Sequence, residues 1–384
     1  MTTEMKSYEV IVLGAGSMGM AAGAFLAKRG AKVLLLDAFD PPHTFGSHHG
    51  DTRMIRHAYG EGGKYVPLAL RAQALWEELE RETGRRVFEK AGVLGIGLSR
   101  SPFLEEMVRS ARQYRLHLDM LSPDEAGKRW PGLRLPEGYV GLFEPDAGYL
   151  YCEEAIRAYR LLAERHGARL MTNTRALSVE YHADGVTVCT ERGTFHGDRL
   201  IVTAGAWIGS LLPELALPLR VVRTTVVWYE ADEALYGAGR FPAFFMETPE
   251  EMFYGFPSVR GAGLKIGSHD AGEPVSPDRI NRRFGAGPND EGGLAAVVER
   301  FFPYATRRVK KGSVCMYTKT PDEDFIIDRH PEHGHVLIVS ACSGHGFKFA
   351  GAIGEIAAQW TLEGKPALDV SAFRLSRFVK PLNR

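Results

Sequence analysis

The chain has 384 residues, with 47 lysines and arginines against 47 aspartates and glutamates, so its formal net charge is zero when histidine is neutral. That balance sets up no long-range field toward nucleic acid or an anionic membrane and points to a small partner instead, while the length allows two domains and a large buried core. Cys152, Cys189, Cys315 and Cys342 lack C-x-x-C spacing, which argues against a metal site or a disulfide framework and favours a reducing compartment. No apolar run is long enough to span a bilayer, and the polar Met1–Ser7 leads straight into the first strand, so a cytoplasmic protein without a leader is expected.

Tyr8 to Leu13 (YEVIVL) reads as a strand buried on both faces. Gly14-Ala15-Gly16-Ser17-Met18-Gly19 follows, then a small-residue helix (MAAGAFLAKR) stopping at Gly30, and a second strand from Lys32 to Leu36 that ends on Asp37. In such a G-x-G-x-x-G unit the first glycine allows a tight turn, the second lets a pyrophosphate approach and the third lets helix pack on strand. Ser17 and Met18 open the helix whose N-terminus favours phosphate, and Asp37, about 20 residues on, suits a ribose diol. The pattern alone also describes an ordinary glycine-rich turn; the strand, turn, helix, strand and Asp in this order predict dinucleotide binding, without separating NAD from FAD.

Next comes Ser47-His48-His49-Gly50-Asp51-Thr52-Arg53-Met54-Ile55-Arg56-His57. So many cationic groups beside a nucleotide fold are costly to bury without anionic partners; the stretch reads as an anion site, with a solvated basic loop as the alternative. Val66–Glu82 has helical periodicity, with Leu68, Ala72, Leu75, Trp76 and Leu79 on one face. Short strands start at Val87, a helix is predicted over Pro102–Tyr114 and another over Cys152–Arg165, followed by strands at Ala168–Met171, Ala176–Tyr181 and Gly185–Thr190. Asp198 to Trp207 (DRLIVTAGAW) is a buried strand ending in a glycine turn, where a doubly wound sheet would present its ligand.

From Leu217 to Thr320 strand-like segments dominate, broken by one helix over Asp290–Phe302, and predict an antiparallel sheet. Strands at Phe325–Asp328 and His335–Ser340, the turn Ser343-Gly344-His345-Gly346 and a helix from Ala350 to Leu362 return to the nucleotide fold. Gly344 and Gly346 mark a second turn facing a ring or phosphate, with the cation Lys348 two residues on; an ion-paired surface lysine is the plain alternative there. No Ser-His-Asp set and no H-E-x-x-H occur, so the chemistry is assigned to a cofactor.

GAGSMG, DAFDPPHTFGSHHGDTRMIRHAYGEG, YVPLALR, KRWPG, LIVTAGAW, FYGFPS, GLKIGSH, CMYTKTPDEDFIID and SGHGFKFA stand in this order between about Tyr8 and Gly364. Together they resemble the monomeric sarcosine oxidase family, flavoproteins of the D-amino-acid-oxidase structural class. The resemblance implies an α/β fold in two interleaved domains: a Rossmann-like FAD-binding domain over 1–84, 150–216 and 319–384, and an antiparallel-sheet substrate domain over 85–149 and 217–318. It implies one FAD per chain, tethered through Cys315, where a lone cysteine would otherwise read as a small buried hydrophobe. Arg56 and Lys348 match the pair that binds the substrate carboxylate, and Arg53 and His49 match flavin-proximal residues. Lys265, a charge in an apolar strand, matches the residue that activates oxygen. Tyr254, His269, Tyr317 and His345 match residues that shape the pocket and tune the amine, His269 and Tyr317 being assigned with Lys265 to catalysis.

The implied reaction converts sarcosine, dioxygen and water to glycine, formaldehyde and hydrogen peroxide on a monomeric enzyme. Related substrates would be N-methyltryptophan, proline or pipecolate, and an NAD-dependent dehydrogenase is the other class the fingerprint allows.

Overall fold

The computed structural model describes residues 6–270 and 272–378, so the expectation placed on Met1–Ser7 lies largely outside them. The first sheet is built around a parallel core in the order Arg169–Met171, Val33–Leu36, Lys6–Leu13, Gly193–Val202 and Val336–Ser340. Ile326–Arg329 closes it antiparallel at one side. Alternation along these strands decides what each face covers. Val10, Val12, Val33, Leu35, Ile201, Leu337 and Val339 pack on a helical layer, and Ile11, Leu13, Leu34, Leu36, Leu200, Val202 and Ile338 pack on the opposite side with Val186, Val188 and Phe195.

The helical layer comprises Ser17–Lys28, Val66–Thr83, Cys152–Arg165 and Ala350–Glu363. Small residues bring the first and last of these close: a Cβ on Gly354 would lie 2.6 Å from that of Ala21. This contact seats the helix that starts under the glycine turn.

The second sheet has nine strands, with Arg220–Ala231 flanked by Leu264–Ser268 and by the fifteen-residue Ala305–Lys319. It is antiparallel except where Ala243–Glu247 runs parallel to Val93–Leu98. A parallel neighbour needs a long crossover, and here the intervening chain supplies one by building strands and helices of the first sheet.

Three local departures have physical causes. Thr52–Ile55, inside the basic stretch to which the sequence assigns no strand, is a strand paired with Gly148–Tyr151, which also pairs with Phe88–Glu89. The helix expected from Asp290 starts at Leu294, because the Asp290 carboxylate accepts Arg223 and the amides of Gly285 and Gly287 and so ends a turn instead. Pro123–Arg129 forms a helix of seven residues, closed by a capping box between Ser122 and Glu125.

Candidate active site

A cleft of about 510 Å³ runs from the first glycine turn to the second. Gly14 has φ +89°, and a Cβ there would meet the Thr203 carbonyl at 2.6 Å, so strand and turn touch backbone to backbone. Gly16, Ser17 and Met18 line this end, and the amides of a helix's first turn have no partner within the helix. Gly19 sits beneath the Gly14 carbonyl. Asp37 lines the cleft too; its carboxylate accepts the Ala15 amide at 2.8 Å and the Phe39 amide at 2.9 Å, with lone pairs left for a diol. Strand end, bare helix start and acceptor in line fit the phosphates and ribose of a dinucleotide.

At the far end Gly344 has φ +82°, and a Cβ would press on His269 at 2.8 Å and on the Tyr317 ring at 3.1 Å. Gly344, His345, Gly346 and Lys348 all line the cleft, with Arg53, Arg56, Tyr254, His269 and Tyr317 across from them. The Tyr317 hydroxyl meets that of Tyr254 at 3.3 Å. Burial raises the pKa of both phenols, so both stay neutral donors.

Lys348 is 5% exposed and donates to the His345 carbonyl at 2.7 Å and to the Tyr59 hydroxyl at 3.0 Å. Burial, and then the charge of Arg56, bring its pKa down to about 7. Arg56 lies between the rings of Tyr59, 4.2 Å from its guanidinium carbon, and Phe245, 4.8 Å. Its Nη2 is taken by both carboxylate oxygens of Glu61, at 2.6 and 2.7 Å. Burial opposes ionisation of Glu61, but Arg56, His345 and Lys348 hold its carboxyl down at about 2. Arg56, Lys348 and Glu61 together thus carry one net positive charge while Lys348 is protonated. Tyr59 and Glu61 belong to the site although the cation pattern did not single them out. Burial also lowers His345 to about 3 and lowers His269, so both rings are neutral.

Three of the residues singled out for chemistry, and Gly19, do not line the cleft. Lys265 is 1% exposed and gives its protons to the Gly50 carbonyl at 2.6 Å, the Thr52 carbonyl at 2.9 Å and the Thr52 hydroxyl at 3.2 Å. Burial, then Arg53, lower its pKa to about 7. The Cys315 sulfur lies 3.8 Å from Nη2 of Arg53 and 3.8 Å from the carbonyl of Ser47, both residues of the cleft wall. Its thiol is raised by burial, with Arg53 pulling the other way. His49 is buried behind the wall, lowered to about 3 by burial and then Arg53, and its neighbour His48 lines the cleft in its place.

A dinucleotide cradle opening onto buried cations and neutral phenols fits a nucleotide-dependent oxidoreductase. The family model of FAD dependent oxidoreductases matches residues 9–360, which decides between the two cofactors that the glycine fingerprint leaves open. The monomeric sarcosine oxidase of Bacillus sp. (strain B-0618) is 52% identical over 374 residues, 96% of each chain. The N-methyl-L-tryptophan oxidase of Citrobacter koseri is 43% identical and covers 97% of this chain and 100% of its own. In fold the chain is similar to NikD, an amino acid oxidase of nikkomycin biosynthesis, with a TM-score of 0.85 at 24% identity, covering 96% of this chain and 97% of that one. The chain belongs to the monomeric sarcosine oxidase family of FAD-dependent amine oxidases.

Proposed function

We propose that this protein oxidises sarcosine, with dioxygen and water, to glycine, formaldehyde and hydrogen peroxide. The observation that carries the reading is the pair Arg56 and Lys348, buried together where the dinucleotide cleft ends. A guanidinium fork and an ammonium beside it suit one carboxylate, and fixing that carboxylate orients the N-methyl carbon along the cleft. FAD, when bound, supplies the two-electron acceptor. Tyr254, Tyr317 and the neutral rings of His269 and His345 make a wall that offers hydrogen bonds but no negative charge to hold an ammonium, which favours the unprotonated amine that the reaction needs. Lys265 we assign to dioxygen: an ammonium held in advance stabilises negative charge as oxygen is reduced. Its support is the burial of an amine whose hydrogen bonds all end on the backbone and hydroxyl of the Gly50–Thr52 turn, next to Arg53.

Covalent attachment through Cys315 is part of the proposal, supported by a buried thiol beside a cleft-wall arginine. So is the division into a cofactor unit (1–84, 150–216, 319–384) and a substrate unit (85–149, 217–318). The first sheet draws its strands from the former ranges and the second, apart from Lys319, from the latter. A monomer and a cytoplasmic location complete it, resting on the relatives' printed name and on four scattered unpaired cysteines.

The test mixes the purified yellow protein anaerobically with sarcosine, N-methyltryptophan, proline or pipecolate and follows the flavin absorbance. Sarcosine should bleach it fastest, and air should restore the colour with one hydrogen peroxide per turnover. Bleaching by the larger amines alone would transfer the same chemistry to them. Acid precipitation should leave the colour on the protein and, after Cys315→Ser, release it to the supernatant.

A further inference from the structure

The segment after Ile55 carries both Arg56 and Tyr59, yet its next three amides are captured by side chains from elsewhere. The His57 amide donates to Oε1 and Oε2 of Glu144 at 3.0 and 3.1 Å, and the Ala58 amide donates to Oε2 at 3.1 Å. The His57 ring adds Nδ1 to Oε1, and the Tyr59 amide donates to the Ser110 hydroxyl at 3.0 Å. Glu144 ends the strand Tyr139–Glu144 of the second sheet and is 2% exposed.

Every partner of the Glu144 carboxylate among the described residues is a nitrogen, so its lone pairs are matched by N–H groups from one short segment. Nε2 of His57 is buried without a hydrogen-bond partner among the described residues. The ring is therefore held from one side only, through Nδ1 on the Glu144 carboxylate. The line continues to the site: the Ala58 carbonyl accepts Nη1 of Arg56 at 3.3 Å, and the Tyr59 hydroxyl accepts Lys348. The charge of Glu144 also helps to keep Arg56 protonated.

We propose that Glu144 is a positioning residue for substrate binding, fixing the His57–Ala58 backbone so that the Arg56 guanidinium and the Tyr59 hydroxyl stand where a substrate carboxylate meets them. The inference rests on reading Arg56 and Lys348 as the carboxylate-binding pair. A residue needed only for folding would change stability and flavin content and leave carboxylate affinity alone, so affinity is the quantity to read.

In the holoenzyme, propionate is titrated against the flavin absorbance, and kcat and KM for sarcosine are measured, for wild type, Glu144→Gln and Glu144→Asp. Gln turns an N–H donor toward donors. We expect Glu144→Gln to keep its flavin, to hold kcat within about twofold, and to weaken propionate and raise KM by about tenfold, the effect of losing a charged buried acceptor. Glu144→Asp, which keeps the charge, should recover part of the loss. Should Glu144→Gln not fold, Ser110→Ala frees the Tyr59 amide and should weaken propionate severalfold. Propionate affinity and KM unchanged in a flavin-loaded variant, or a fall in kcat alone, overturn the proposal while wild type binds and turns over normally. A wild type that neither binds propionate nor oxidises sarcosine overturns the carboxylate reading first, and this proposal with it.

Discussion

Lys348 is buried beside Arg56, and this makes its charge the quantity that pH controls. Its pKa stands at about 7, below the usual 10.5, because burial and then Arg56 disfavour the ammonium. An arriving carboxylate favours the ammonium and raises that pKa on binding. Carboxylate affinity is therefore full below about pH 7 and falls as pH rises, levelling off only above the pKa of the complex. Propionate titrations from pH 6 to 10 should show this decline, approaching about tenfold per pH unit at steepest; Lys348→Met should bind weakly with a flat profile, and a flat wild-type profile would refute the assignment. Glu61 makes the complementary case. Its carboxylate occupies the Nη2 of Arg56 that a substrate would use, so Glu61→Gln should tighten propionate by roughly three- to tenfold through loss of a competing like charge. The basic stretch and the cation after the second glycine turn stood out in the sequence because cations beside a nucleotide fold need a reason to be there, but only the family resemblance paired Arg56 with Lys348. Glu61 stands in the same stretch but looks like any acid in a basic loop, and Glu144 closes an apolar strand 87 residues from its partner. No local pattern marks a contact that only the fold creates.

Elements with long periodicity were readable almost to the residue: Pro102–Tyr114 and Cys152–Arg165 have their expected limits, and Val66–Thr83 runs one residue past its own. What escaped was short or governed by tertiary partners. Seven residues after Ser122 are too few to show a period, although S-P-D-E is a capping-box signature. The strand Thr52–Ile55 owes its existence to the edge offered by Gly148–Tyr151. The small-residue composition of Ser17–Lys28, by contrast, was itself a message, because Ala21 lies against Gly354 on the neighbouring helix. Gly354→Val would gain a few tenths of a kcal/mol in helix propensity and lose about 1–3 kcal/mol to overpacking, so overpacking wins. Thermal unfolding should begin at least a few degrees lower, and FAD retention should fall with it, since the displaced helix begins at Ser17, directly after Gly16 of the cradle.

Across the whole molecule the cleft is bounded by chain that the sequence sends back and forth between two sheets, and interleaving of this kind was legible only as alternating texture. How the sheets are clasped was not. The segment from Ser276 to Arg283 reaches over from the second sheet's side of the chain. The Asp278 carboxylate accepts Arg175 at 2.7 Å and the Trp207 indole at 2.9 Å, and Arg282 donates to the carbonyls of Thr44 and Phe45 at 3.2 and 2.9 Å. Arg282 also stacks over the Phe45 ring, 5.2 Å from its centroid, and Phe45 lies flat on Phe39, which lines the cleft. Asp278 is half exposed, so its ion pair contributes little. Arg282 itself is half-buried, and although its two bonds lie at the surface they are charge-assisted, which places them at the low end of about 1.5–3 kcal/mol. These contacts hold the stretch 43–48 against the dinucleotide end of the cleft, and their loss should open an exit for the cofactor without touching the carboxylate pair. Arg282→Ala, made together with Cys315→Ser so that nothing tethers the flavin, should therefore release FAD roughly tenfold faster than Cys315→Ser alone, by the lower end of that range. Flavin fluorescence after dilution measures the rate, and sarcosine turnover per bound flavin should stay within about twofold. Equal release rates would mean that the clasp does not bear on the cofactor, and a lost turnover per flavin would mean that the segment reaches further toward the reacting end than its contacts indicate.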